Sequence, residues 1–456
     1  MDSRLEALWL LVVAVAVAGA GALGQITVSD DRTTRTDSTL TLSEVSTPTS
    51  LYQAFPSQIT LDTGSLRSIP DITDSIATIT HNNTAATSPS EERPTKTVTF
   101  LTGTVTHGTS SLPGNETTTA VSPTPTADPP PCNNYVEFCT RKYSNITEVA
   151  CHNSPFVAPN NIAANQEYDV KQQLDDGIRF LQAQIQWPAN DTQPHFCHTS
   201  CDVLDAGPIT DWLTQVKEWV VRHPFDIVTI LLGNGNYSVP SMYVTHIERS
   251  GILRYVYEPP YVPMNLTSWP TLTEMILSGQ RVVMFMDYMA NQTEYPWLLD
   301  QFSQMWETPF DPTDQSFPCD VQRPPDLARA DAENRLSFAN HNLNFNLSVL
   351  GVDLLVPART MLNVTNNATG TGSLGASANN CLEKWGRPPN FLNVDYYNAG
   401  GFPGSVFEVA AQMNNVTYNR ACCGVPASAG TPRPSSSWVV MMFGLGVIAF
   451  FWGPVL

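Results

Sequence analysis

Two histidines lie in short cysteine-bearing stretches, and their type and spacing suit acid–base chemistry. The first ends the run Thr147-Glu-Val-Ala-Cys-His152 and is followed by Asn-Ser-Pro155; the second lies in Cys197-His198-Thr-Ser-Cys201. An imidazole with its ordinary pKa of ~6.5 can give or take a proton at neutral pH. Alone, either histidine is an ordinary polar residue. Two of them, 46 positions apart with a buried strand between, can meet at one end of a parallel α/β fold and supply a base and an acid. A structural zinc site suits His198 poorly. Such a site takes four ligands, usually from two paired motifs. Cys197, His198 and Cys201 supply at most three, and no second cluster of that kind follows. These cysteines are therefore expected to be oxidised, with each other or with distant partners, holding the loop that presents His198. No metal and no other cofactor is expected.

The elements that must position the histidines read as strands and helices of an α/β domain. Ile178–Ile185 alternates as a strand does. From Pro208 to Val221, apolar residues at 209, 212, 213, 216, 219 and 220 keep helical spacing, with Pro208 in the first turn and His223-Pro224 as the stop. Ile227–Leu232 is a continuous β-branched and leucine run, as in a strand buried on both faces. Strand, helix and buried strand make a βαβ unit. Arg281–Asp287 and Asn390–Tyr397 read as two more buried strands, carrying Asp287 and Asp395 near their C-terminal ends. In parallel α/β folds chemistry collects at that edge.

The chain has 456 residues and a formal net charge of −19. That charge argues against a nucleic-acid partner, because phosphate binding needs a basic face. Residues 1–24 read as a secretory signal: Arg4, an apolar run from Leu8 to Ala18, then small residues up to Gly24. Residues 25–131 are rich in Ser, Thr and Pro and read as a disordered, O-glycosylated stalk. Aromatic residues become frequent at Cys132, and residues 132–424 form one domain of the size of an α/β barrel. Residues 425–456 hold the small cluster Ala427–Gly430, a polar spacer and the apolar tail Trp438–Leu456, the pattern of a GPI-attachment signal; a spanning anchor is the alternative. Nine cysteines imply disulfides with one thiol left over. Eleven sequons begin at Asn82, Asn115, Asn145, Asn190, Asn236, Asn265, Asn291, Asn346, Asn363, Asn367 and Asn415. Together these features place the protein in the secretory pathway, at the extracellular face of the membrane or in the wall.

Cys151-His-Asn-Ser154, Asp176-Gly-Ile-Arg-Phe-Leu181 and His195-Phe-Cys-His-Thr-Ser-Cys201, followed by the helix and the Ile227–Leu232 strand, resemble the phosphatidylinositol-specific phospholipase C X-domain superfamily, and within it the fungal secreted, PLC-like phosphodiesterases. The resemblance spans roughly residues 132–423 and implies a distorted TIM-type (β/α) barrel. It also implies a reaction in which a ring hydroxyl attacks a neighbouring phosphodiester. His152 would be the general base, His198 the general acid, and Asp395 the carboxylate beside the first histidine. Asn153, Gln182 and Gln184 match positions near phosphate or metal, and Arg179 is counted with the substrate-binding set. Its place in the Gly-Ile-Arg turn equally suits an ion pair with Asp175 or Asp176.

The sequence departs from the family at Gln182, Gln184 and Asn234, where metal-dependent relatives carry carboxylates and metal-free bacterial ones an arginine. Neither a calcium cage nor a phosphate-clamping arginine is visible. The expected function is a cell-surface phosphoric diester hydrolase acting on an inositol phospholipid or a GPI glycan. The alternative is an inactive barrel that binds such a headgroup or glycan.

Overall fold

The computed structural model describes residues 52–55, 57–61, 130–189, 191–349, 352–401, 404–420 and 422–423. The chain divides into two units, residues 47–347 with 355–456, and residues 1–46 with 348–354. The first unit holds the sheet, the helices and the candidate site. The segments read as a secretory signal and as an attachment signal lie outside the described residues.

Ten strands form the main sheet: β1 (Glu148–Cys151), β2 (Phe180–Gln186), β3 (His195–His198), β4 (Leu204–Pro208), β5 (Val228–Asn234), β6 (Val282–Met286), β7 (Leu298–Asp300), β8 (Met305–Glu307), β9 (Leu336–Asn340) and β10 (Phe391–Val394). Eight of them run parallel in the order β8-β9-β10-β1-β2-β5-β6-β7. The two end strands of this path are consecutive in sequence, joined by the helical turn Gln301–Gln304. The result is a curled half-barrel of the distorted TIM type. Strand β3 pairs antiparallel with the end of β2, and β4 pairs antiparallel with β3. Helices α1 (Val170–Asp176), α2 (Ile209–Arg222), α3 (Ser241–Arg249), α4 (Leu272–Ser278), α5 (Leu374–Trp385) and α6 (Ser405–Met413) supply the connections.

The period of two along each strand sorts residues onto two faces. Val149, Cys151, Leu181, Ala183, Ile230 and Leu232 share one apolar cluster with Val216, Trp219 and Val220 of α2. The opposite face carries Ala150, Phe180, Leu231, Phe285, Phe338 and Phe391, which cluster inside the curl. The ring of Phe180 lies 4.9 Å from Phe338 and 4.6 Å from Phe391. Further along the same strands, two residues at a time, this inner face turns polar: His152, Gln182, Gln184, Asp287, Glu307, Asn340, Asn393 and Asp395. Water is excluded from the floor, and chemistry is confined to the C-terminal edge.

Helix α2 buries the apolar positions read from its sequence, with Pro208 at its N-cap and His223 at its C-cap. It also fixes Arg179. That guanidinium lies 4.9 Å from the Trp219 ring, donates to Asp226 Oδ1 at 2.8 and 3.2 Å, and caps the carbonyls of Leu174 and Ile178. Arg179 precedes β2, at the end of the sheet opposite His152. Its assignment to substrate binding is therefore corrected to a structural role, and it forms an ion pair with Asp226.

Part of the segment read as a disordered stalk lies against the barrel. Ile59–Thr60 pairs antiparallel with Tyr261–Val262, and Leu61 N donates to Pro260 O at 3.0 Å. The Tyr52 ring packs 4.8 Å from Phe302 and 5.7 Å from Tyr288, and Gln53 Nε2 donates to Ala290 O. Phe302 belongs to the turn that joins the two end strands, so this strap covers the seam of the curl. The disorder expected of the stalk does not hold for these residues.

Candidate active site

Register brings the first histidine and the aspartate together. Val394 pairs with Cys151 at the ends of β10 and β1, so the next residues on each strand, Asp395 and His152, stand side by side. His152 Nδ1 lies 2.8 Å from Asp395 Oδ1, and both are buried. Asn165 Nδ2 donates to the same carboxylate oxygen at 2.9 Å and fixes its orientation. A carboxylate at Nδ1 holds the proton there and leaves Nε2 for chemistry. Burial alone would lower the pKa of His152. The charge and hydrogen bond of Asp395, with the charges of Asp311 and Glu307, outweigh burial and hold it above its ordinary value.

His198 ends β3, on the hairpin with β4, beside the buried ring of Phe156 at 5.1 Å. Burial pushes its pKa down to about 4, and the charge of His152 pushes in the same direction. The two imidazoles therefore lie close enough to feel each other. Cys197 and Cys201 are bonded to each other across the turn that follows His198. Other pairs are Cys132–Cys139, Cys319–Cys381 and Cys422–Cys423, and Cys151 is the free, buried thiol. Peptide mapping under non-reducing conditions should find Cys197 and Cys201 in one linked peptide. Two free thiols with stoichiometric zinc would reverse this assignment.

Asn153 follows His152 with φ of 50°, a left-handed conformation that asparagine tolerates. Its amide Nδ2 donates to Asn165 Oδ1 at 3.2 Å, and its backbone N–H donates to Gln182 Oε1 at 3.3 Å. Gln184 lies against the loop after β5, where a Cβ on Gly235 would fall 1.9 Å from its Nε2. Asn234 is turned away from the cleft. It is fully buried, and its side chain bonds Ser238, Tyr243 and Tyr288. Asp287 Oδ1 accepts from the backbone N–H groups of Asn234 and Tyr288, and burial raises its pKa to about 6. Among the described residues, no group of three or more His, Cys, Asp or Glu side chains could hold a metal ion.

The cleft also holds residues that sequence reading missed. Arg323 Nη1 donates to the Tyr288 hydroxyl at 3.3 Å, and its Nε donates to Glu307 Oε2 at 3.0 Å. Asn340 Nδ2 donates to that same Glu307 oxygen at 3.2 Å. The Phe310 ring covers the guanidinium at 3.8 Å. Asp311 stands between the two halves of the site. Burial raises its pKa, while the charges of His152 and Arg323 both pull it down. Arg323 thus brings a guanidinium to the cleft from a loop. Glu307 closes a strand of three residues, too short for periodicity to reveal, and Arg323 and Asp311 lie in the loop that follows it, without a motif.

The model of the family described as PI-PLC X 1 matches residues 138–414, and the chain belongs to that family. A protein of Arthroderma benhamiae named "Uncharacterized secreted protein" is 54% identical over 325 residues, covering 71% of this chain and 73% of the relative. A second protein of that fungus, named "PI-PLC X domain-containing protein 1", is 39% identical over 285 residues, covering 62% of this chain and 90% of the relative. Among solved structures, phosphatidylinositol-specific phospholipase C of Listeria monocytogenes aligns with a TM-score of 0.39 and 12% identity, over 61% of this chain and 94% of that one.

Proposed function

We propose that this protein is a phosphoric diester hydrolase of the phospholipase C type. The observation that carries the reading is the contact of His152 with Asp395 at the strand ends, within electrostatic reach of His198. In this reading His152 Nε2 takes the proton from a hydroxyl next to the phosphodiester. The freed oxygen attacks phosphorus and closes a cyclic phosphate, and His198 gives a proton to the departing alcohol oxygen. Asn153 and Gln182 offer amides toward the phosphate, and Arg323 is the cation on the far side of the cleft. The disulfides, the sequons and a relative named as secreted support a place in the secretory pathway. Attachment through residues 425–456 is part of the same proposal, and recovery of peptide 438–456 from the mature protein would show a spanning anchor instead.

Metal is not required by this reading. Calcium takes six to eight hard oxygen ligands, several of them carboxylates. Gln182 and Gln184 are neutral, and Asn234 spends its amide on Ser238, Tyr243 and Tyr288. Turnover of a phosphodiester should therefore be unchanged by EDTA. Loss in EDTA with recovery on adding calcium would overturn the metal-free mechanism. A second reading, a barrel that binds a headgroup without turnover, draws on the neutral Gln182 and Gln184 and on the depressed pKa of His198. Ligand binding by the wild type with no turnover would select it.

A further inference from the structure

Two of the sequons lie at the mouth of the cleft. Asn236-Tyr-Ser238 is in the loop after β5, Asn291-Gln-Thr293 is in the loop after β6, and both asparagines are exposed. These loops leave the C-terminal ends of neighbouring strands, the edge that carries His152 and Asp395. Asn236 is placed by its neighbours. Gly235 rests on Gln184, and the Tyr237 ring lies 5.3 Å from that of Tyr288, whose hydroxyl meets Arg323. Buried Asn234 pins the base of the loop through Ser238 and Tyr288. Asn291 follows Ala290, whose carbonyl receives Gln53 of the strap, and its side chain contacts exposed Glu294: Nδ2 donates to Oε2 at 3.1 Å and Oδ1 accepts from the backbone N–H at 3.3 Å.

We propose that Asn236 and Asn291 are both N-glycosylated, and that the two glycans rim the cleft so that it takes phosphodiesters presented in water, free or on a hydrated polymer, rather than lipids lying in a bilayer. The inference rests on the phosphodiesterase reading for the word substrate, but not for the placement of the glycans. An N-linked glycan is bulky and hydrated. A cleft that acts on bilayer lipid must bring its mouth flush with the headgroups. Adhesion there draws on buried apolar area and on basic residues facing anionic lipid. The exposed apolar side chains beside Asn236 are Tyr237, Val239 and Met242, 38, 51 and 45% exposed, and across the cleft Phe310 lies against Arg323. The first three lie one, three and six residues after Asn236, where its glycan shields them. The charges inside the cleft do not draw an anionic surface either: Asp287 and Asp311, with the buried Glu307 and Asp395, stand against Arg323 and the two imidazoles.

The glycosylated protein made in a eukaryotic host and freed from its C-terminal attachment tests this. Peptide mapping after peptide-N-glycosidase treatment should find Asn236 and Asn291 converted to aspartate. The wild type should stay in the supernatant with vesicles of phosphatidylcholine and phosphatidylinositol. Pelleting should rise several-fold for the Asn236→Gln, Asn291→Gln double variant, or for folded wild type trimmed by an endoglycosidase if that variant is not secreted. The wild type should turn over glycerophosphoinositol several-fold faster than vesicle phosphatidylinositol, and removal of the glycans should narrow that ratio without changing the rate on the soluble diester. Unmodified asparagines overturn the proposal, and so does pelleting unaffected by glycan removal. If neither diester is turned over, the phosphodiesterase reading fails, and occupancy and pelleting still decide the rim.

Discussion

His152→Ala and His198→Ala should each lower turnover of a phosphodiester about 100-fold or more, the usual size of a general acid–base contribution. Each removes a proton acceptor or donor that the floor of the barrel cannot replace, since the layer beneath is apolar. In the free protein the pair holds one proton over a wide range. That proton sits on His152, which Asp395 holds above its ordinary pKa, while His198 is depressed to about 4. The values belong to the pair, and kcat/KM reports them as two limbs. Activity should rise through about pH 4, as the second proton leaves, and fall above the ordinary histidine value, as the last one leaves. A phosphate seated between the rings adds negative charge beside His198 and draws the proton from His152 onto it, which readies His198 as the acid and leaves His152 neutral as the base. Asp395→Asn removes the charge that holds the proton on His152, so the falling limb should move to lower pH. Full turnover in both alanine variants would remove the histidine mechanism. A falling limb that stays in place in Asp395→Asn would remove Asp395 from it.

Arg323→Ala should cost about 3–5 kcal/mol of folding stability, the range for breaking a buried ion pair by deleting one partner. The Glu307 side chain is 2% exposed and the Arg323 side chain 16%, so little water can replace the guanidinium. Burial alone would lower the arginine's pKa, but Glu307 outweighs it and keeps the charge in place. Deletion also uncovers Phe310 and releases the Tyr288 hydroxyl. Arg323→Lys keeps the charge but loses the fork, and should lose less. Urea denaturation followed by tryptophan fluorescence would read both variants. A midpoint unchanged in Arg323→Ala would mean that Glu307 does not depend on this partner.

The parts of the fold legible in the sequence are those with long, regular periodicity. The helix from Ile209 to Arg222 and the strands at 180–186, 228–234, 282–286 and 391–394 stand where alternation or apolar runs put them, within a few residues. That Cys197 and Cys201 are oxidised followed from the redox compartment, while their bond to each other came from the structure. His152 and His198 were found as residue types in marked contexts, and Asp395 as an aspartate at a strand end. The register that places Asp395 against His152 is a long-range property, across 243 residues, that no local pattern contains. Arg179 was misplaced because its motif gives its neighbours in sequence, whereas its partner, Asp226, comes from the next strand's approach. Glu307, Asp311 and Arg323 come from a three-residue strand and the loop that follows it, where neither period two nor 3.6 can build up. Asn165 was missed for the same reason.

The strap of residues 52–61 changes how the Ser/Thr/Pro-rich segment is connected to the rest of the molecule. Its N-terminal side is clipped to the barrel at Ile59–Leu61, and its C-terminal side enters the same barrel at the Cys132–Cys139 bridge. The segment between residues 61 and 130 is therefore attached at both of its ends to one body. A single cut in it separates two polypeptides on a denaturing gel, yet leaves both attached under native conditions. The entropy of closing such a loop rises only as the logarithm of its length. Insertions and deletions there should therefore be nearly neutral for folding, while a change at Tyr52 or Ile59 weakens one of the two attachments.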